Sequence, residues 1–153
     1  MVFKMLKQNK GVTLMALAIT IIVLLILASI ATYSSLKSVK NSKTSDAKAQ
    51  LKVMQTYVNS WYQEFKNGNQ DVLEYGSSNI SDYSEVFKTV GVTDSSTYKL
   101  FTAKYIKENL GIDGINRDML IDIKNRNIIL TKSVQDDKKT YYTFEDFGIL
   151  NVK

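Results

Sequence analysis

The chain has 153 residues, with 20 Lys and Arg against 15 Asp and Glu for a formal charge of +5, and no His, Cys or Pro. That is one domain's worth of protein. The missing Cys and His exclude a disulfide scaffold, a Cys/His zinc site, a thiol nucleophile and a His general base. Charge is unevenly placed: Lys4, Lys7, Lys10, Lys37, Lys40 and Lys43 all precede the first acidic residue, Asp46, and the remainder carries 14 basic against 15 acidic groups. A basic end on a nearly neutral body argues against a general nucleic-acid-binding surface and for membrane topology.

No charged side chain stands between Gly11 and Leu36, and Val12 to Ala31 is interrupted only by Thr13, Thr20 and Ser29. Twenty such residues in a helix rise about 30 Å, the thickness of a bilayer's hydrocarbon core. Short hydroxyls are tolerated there because they bond back to a carbonyl one turn earlier. The preceding flank, MVFKMLKQNK, carries only positive charge, so the first residues are expected to stay cytoplasmic and the rest to be exported. Ser29-Ile30-Ala31 has the form of a signal-peptide cleavage site, but the apolar run is too long for that class. A plain signal anchor is the simpler alternative.

The junction KGVTLMALAITIIVLLILA resembles the N-terminus of type IV prepilins and pseudopilins, and most of all the Gram-positive versions, over about the first 32 residues. The resemblance implies a leader, residues 1–11, whose charge comes from Lys4, Lys7 and Lys10. It implies cleavage between Gly11 and Val12 by a membrane-embedded prepilin peptidase, followed by N-methylation of Val12. Residues 12–33 would then be the transmembrane and filament-core helix, and residues 34–153 an extracytoplasmic pilin-like head. Other pilin subunits, a platform protein and an assembly ATPase are the implied partners. The family's usual glutamate at the fifth mature position is replaced by Ala16, which leaves the subunit's place in a filament open between a minor, tip-proximal one and a bulk one in which hydroxyls such as Thr13, or an uncharged amine, take the glutamate's part. The rival reading is a membrane-anchored extracellular binding domain that never polymerises.

Beyond Ala31 the apolar pattern becomes a stripe. Ala47, Leu51, Met54, Val58, Trp61 and Phe65 recur every three or four residues, the period of an amphipathic helix face. Val53, Tyr57 and Tyr62 are expected to widen it. With no proline or interior glycine, one helix about 80 Å long is expected from Val12 to Lys66, its upper half being residues 46–66. Gly68 suits its left-handed cap. The stretch SSLKSVKNSKTS, Ser34 to Ser45, is its weak place, where a bend or fraying is expected. The helical spacing of Trp61 points to core packing rather than to a ligand platform.

Residues 69–97 read as a long polar connection with one short helix, Ser81 to Val90, capped by Ser81 and stopped by Gly91. A second short helix runs from Thr102, its cap, to Leu110 before Gly111. Met119 to Ile123 and Ile128 to Thr131 flank Lys124 to Asn127 as a hairpin, and Thr140 to Phe144 adds a third strand. The expected fold is α+β: a long N-terminal helix, membrane-spanning below and amphipathic above, packed on the one apolar face of a small antiparallel sheet.

Two clusters invite chemistry. Asp113, Asn116 and Asp118 stand near Gly114, but the spacing is wrong for a calcium loop and Arg117 intrudes. Glu145 and Asp146 are adjacent, which on a strand would point them to opposite faces. With no Gly-rich phosphate loop and no Ser/His/Asp set, the sequence reads as a non-enzyme needing neither cofactor nor metal.

Overall fold

The computed structural model describes residues 5–148, without the side chains of residues 5–13, 33 and 34. The chain divides into two compact units, Met1–Val39 and Lys40–Lys153. A helix, α1, runs over Met5–Lys66. It starts before Gly11 rather than at Val12, and it is helical throughout the stretch where fraying was expected. The hydroxyls there reinforce it: Ser35 donates to the Ala31 carbonyl, and Thr44 to those of Lys40 and Asn41. Hydroxyls able to compete for the backbone's bonds are instead tied to its carbonyls. At the far end Gly68 takes φ 100°, and the Gly68 and Asn69 amides close back on the Phe65 and Glu64 carbonyls at 3.0 Å each. Glycine adopts that conformation without a Cβ penalty.

In the second unit the expected stripe is the core. Ala47, Leu51, Met54 and Val58 are completely buried, Trp61 nearly so, and Phe65 packs at the margin. Trp61 stacks on Phe101 and meets Tyr75 edge-on, with centroids 5.8 and 5.4 Å apart. The stripe is narrower than expected on one side. Val53 and Tyr57 remain 42% and 39% exposed, while Gln50 and Gln55 are buried. Gln50 is drawn in because it exchanges hydrogen bonds with Asn116: its Nε2 donates to Asn116 Oδ1 at 2.8 Å, and the Asn116 amide returns one to Oε1 at 3.0 Å. Tyr62 lies under the Arg126 guanidinium at 4.5 Å.

Among the described residues the sheet has four strands, not three: β1 (Lys99–Phe101), β2 (Met119–Asp122), β3 (Asn127–Gln135) and β4 (Thr140–Thr143), in the order β1-β2-β3-β4, all antiparallel. The additional strand is three residues long and shows no alternation to read. It exists because Lys99, Leu100 and Phe101 find Ile121, Leu120 and Met119 opposite them. Outside it, Ser77 pairs with Leu100. Gly76 makes that approach possible, since a Cβ there would stand 2.7 Å from the Phe101 ring. The β2–β3 connection is shifted one residue earlier than expected, with Asp122 opposite Asn127 and Arg126 at φ 56°.

A second correction concerns the faces. Every residue of β2 is buried. Met119 and Ile121 join the α1 stripe, whereas Leu120 and Ile129 pack with Phe87 and Tyr98 in a smaller core on the opposite side. That second layer comes from α2 (Ser84–Val90), which contributes Phe87. Its expected cap is displaced: Ser81 opens a preceding 3-10 turn, and the residue before α2, Tyr83, makes no side-chain cap among the described residues. Gly91 does end it in a left-handed conformation. In α3 (Ala103–Glu108), Thr102 caps as expected, accepting from the Tyr105 amide, although the helix stops before Leu110.

Candidate functional site

The sequence points first to the junction and apolar run on α1. Lys4 lies outside the described residues. Lys7, Lys10, Gly11 and Val12 lie on helical backbone, with their side chains outside the description. From Leu14 onward α1 carries a stretch long and apolar enough to cross a membrane, none of it buried within the chain. Leu14, Met15, Leu17, Ile22, Leu25, Leu27 and Ile30 are each more than half exposed, on all sides of the helix. A helix apolar all round has no preferred inner face and is solvated by lipid or by other helices, not by water.

Its described polar groups are self-contained. The Thr20 hydroxyl donates to the Ala16 and Leu17 carbonyls at 3.1 and 2.8 Å, Ser29 to Leu25 at 2.8 Å, and Thr32 to Ala28 at 2.8 Å. Each donor is thus satisfied within the helix, the condition for residing in hydrocarbon. Ala16 is exposed; its methyl offers no partner to a cation, and its carbonyl is occupied by Thr20.

The second unit contains a groove of about 420 Å³ that the sequence did not single out, bordered by Tyr98, Asn127, Tyr142, Thr143, Glu145 and Asp146. It forms where β4 loses step with β3, between Ile129 and Val134. Asp146 repairs the gap. It is not on a strand but in the turn after β4, where Oδ2 accepts from the Tyr142 and Thr143 amides at 2.8 and 2.9 Å and from the Thr143 hydroxyl at 3.1 Å. Burial would raise its pKa, but these hydrogen bonds and nearby Lys139 outweigh that and hold the carboxyl below its ordinary value. Glu145, which also borders the groove, is exposed, whereas Asp146 is half-buried and committed to the backbone of the turn. Burial, aided by Asp122, pushes the Tyr98 phenol up against an opposing hydrogen bond with Asn127.

The neighbouring β3–β4 turn is similarly knit. Asp136 accepts from the Tyr141 phenol at 2.6 Å and from the Lys138 and Lys139 amides, which lowers its pKa and raises that of Tyr141. Asp137 pairs with Lys40 of α1 at 2.7 Å. Asp136 and Asp146 are thus committed to holding the backbone of their own turns.

The would-be cation cluster also disperses. Asn116 is tied to Gln50, Arg117 to Asp46 at 3.3 Å, and Asp118 accepts from the Ala103 amide at 2.7 Å. Among the described residues, no group of three or more acidic, His or Cys side chains is placed to hold a metal ion. Comparison of the chain with protein-family models, curated proteins and solved structures finds no match.

Proposed function

We propose that this chain is a structural subunit of a type IV pilus or a type II secretion-like pseudopilus, and not an enzyme. The supporting observation is an α1 segment exposed and apolar on all sides, with its described hydroxyls bonded internally, on the same helix as a stripe packed against an antiparallel sheet. Such a segment has no water-release incentive to leave lipid for a helical bundle; its association depends on close packing and matched polar groups. In this reading prepilin peptidase cuts between Gly11 and Val12, Val12 is N-methylated, and a platform protein and assembly ATPase extract the subunit to join other pilins at the cell surface. Before assembly it is a single-pass membrane protein with its head outside.

Ala16 refines the role. Cleavage leaves a cationic amine on Val12, which is costly to bury unpaired in a filament core by several kcal/mol. A subunit at the tip has no predecessor whose amine must be neutralised, so it loses nothing by lacking a carboxylate at this position. The chain is therefore assigned as a minor, tip-proximal pilin.

Intact-mass measurement in a host with an active prepilin peptidase tests the processing step. Removal of Met1 to Gly11 is expected, and Gly11→Val should leave an inserted precursor. Retention of the leader by the wild type would overturn the proposal in favour of a non-polymerising anchored domain. Long filaments built from this chain alone would overturn the tip assignment.

A further inference from the structure

The groove beside β4 carries charge of one sign. In a chain with 20 basic and 15 acidic residues, its described lining includes Glu145 and Asp146 but no lysine or arginine. The two carboxylates are differently occupied. Asp146 Oδ2 is spent on the Tyr142 and Thr143 amides, and its Oδ1 has Lys139 at 3.6 Å. Glu145 is exposed, and its carboxylate makes no ion pair among the described residues.

Apolar surface lines the same groove. Val90, Val92 and Tyr142 pack on the smaller core yet stay half-buried, so each keeps surface that a ligand can cover. An apolar wall with a free carboxylate matches a side chain that has a hydrocarbon stem and a cationic head. Arginine fits best, because its planar guanidinium both stacks on an aromatic face and forks onto a carboxylate. The first of these contacts already occurs in this unit, where Arg126 lies 4.5 Å over the Tyr62 ring. The chain's own two arginines are engaged, Arg117 with Asp46 and Arg126 with Tyr62, which points to a different polypeptide rather than a second copy as the donor.

We infer that this groove binds an arginine side chain of a partner polypeptide, with Glu145 pairing the guanidinium and Tyr142 stacking on it. Asp146 adds negative potential without leaving the turn it holds. Such a contact needs neither the membrane segment nor filament assembly, since every residue of the groove belongs to the second unit. A single exposed ion pair contributes little, so one arginine binds weakly and its neighbours in the partner set the final affinity.

Amide resonances around the groove read the site directly. In the ¹⁵N-labelled full chain in non-ionic detergent, a capped polyalanine peptide with one central arginine should shift the Asn127, Tyr142 and Thr143 signals saturably. The same peptide with citrulline, which keeps the shape but loses the charge, should not. Glu145→Gln should raise the half-saturation concentration at least about threefold, and Glu145→Lys should abolish the shifts. Glu108→Gln, which removes an exposed carboxylate outside the groove, should leave the half-saturation unchanged. Unaltered Leu51 and Met54 signals show that each variant keeps its core. Absence of saturable shifts with the arginine peptide up to its solubility limit overturns the inference. So does an equal response to citrulline, an unchanged half-saturation in Glu145→Gln, or an equal weakening in Glu108→Gln.

Discussion

The same helix passes through two solvation problems and solves them with different side-chain arrangements. From Leu14 to Thr32 apolar residues occupy every side and remain exposed within the chain. From Ala47 to Trp61 the buried ones form one stripe, none more than 7% exposed, with Val53 and Tyr57 left outside it. The first arrangement does not discriminate between faces, so it suits an apolar medium or identical neighbours. The second prescribes one partner surface, the sheet with its Met119 and Ile121. Burial is thus set by periodicity, not by hydrophobicity: the more apolar half is the one left uncovered.

The sharpest way to break this comparison is to move damage from one half to the other. Leu51→Ala should destabilise the second unit by about 2–5 kcal/mol through lost burial and a cavity, read by fluorescence of Trp61 in denaturant, with membrane association unchanged. Leu24→Lys should give the reverse result. A charge at the centre of a spanning helix costs about 2.5–3.5 kcal/mol on insertion, measured as the fraction remaining in membranes after alkaline washing, while the Trp61 transition stays put. If either substitution moved both readouts strongly, the two halves would not be separate in energy as they are in pattern.

Gln50→Ala sharpens the boundary of the stripe. It leaves the Asn116 amide without its acceptor, at a cost of about 1–3 kcal/mol, although the residue is polar and flanks the apolar row. Lys52→Ala, on the exposed side, should lie within about ±0.5 kcal/mol in the same assay.

Acid provides a gentler probe of the second unit. Asp146 has its pKa lowered in the folded state, so its contribution is present above the ordinary carboxylate range and is lost as pH falls through the folded value. The Trp61 transition of the wild type should therefore weaken on acidification, and Asp146→Asn should be less stable at neutral pH yet show a shallower acid dependence. A variant with the wild-type slope would mean that the Tyr142 and Thr143 amides do not depend on the charged carboxylate.

Legibility in the sequence followed the length of the pattern. The stripe from Ala47 to Phe65 spans several turns, so each correctly read residue constrains the next; the Thr102 cap and the Gly68 and Gly91 stops are local chemistry and were equally readable. Strand β1 was not, because three residues carry no usable period and its pairing to Leu120 depends on a partner about twenty positions away. The groove beside Tyr98 and Asn127 was invisible for a related reason: it arises from a register shift between β3 and β4, a property of two strands together. The part played by Asp146 was not readable, because nothing in the sequence reveals that the Tyr142 and Thr143 amides need an acceptor.

The sequence by itself determined the apolar run free of charge, the amphipathic stripe, the helix stops and the main hairpin, since each depends on neighbours within a few turns. Only the tertiary structure decided that β2 is covered on both faces, that Gln50 is core while Tyr57 is surface, and that Asp146 serves the backbone of the turn after β4. Those outcomes depend on which distant groups meet. Desolvation penalises or rewards a polar atom according to its final neighbours, and a one-dimensional pattern does not specify them.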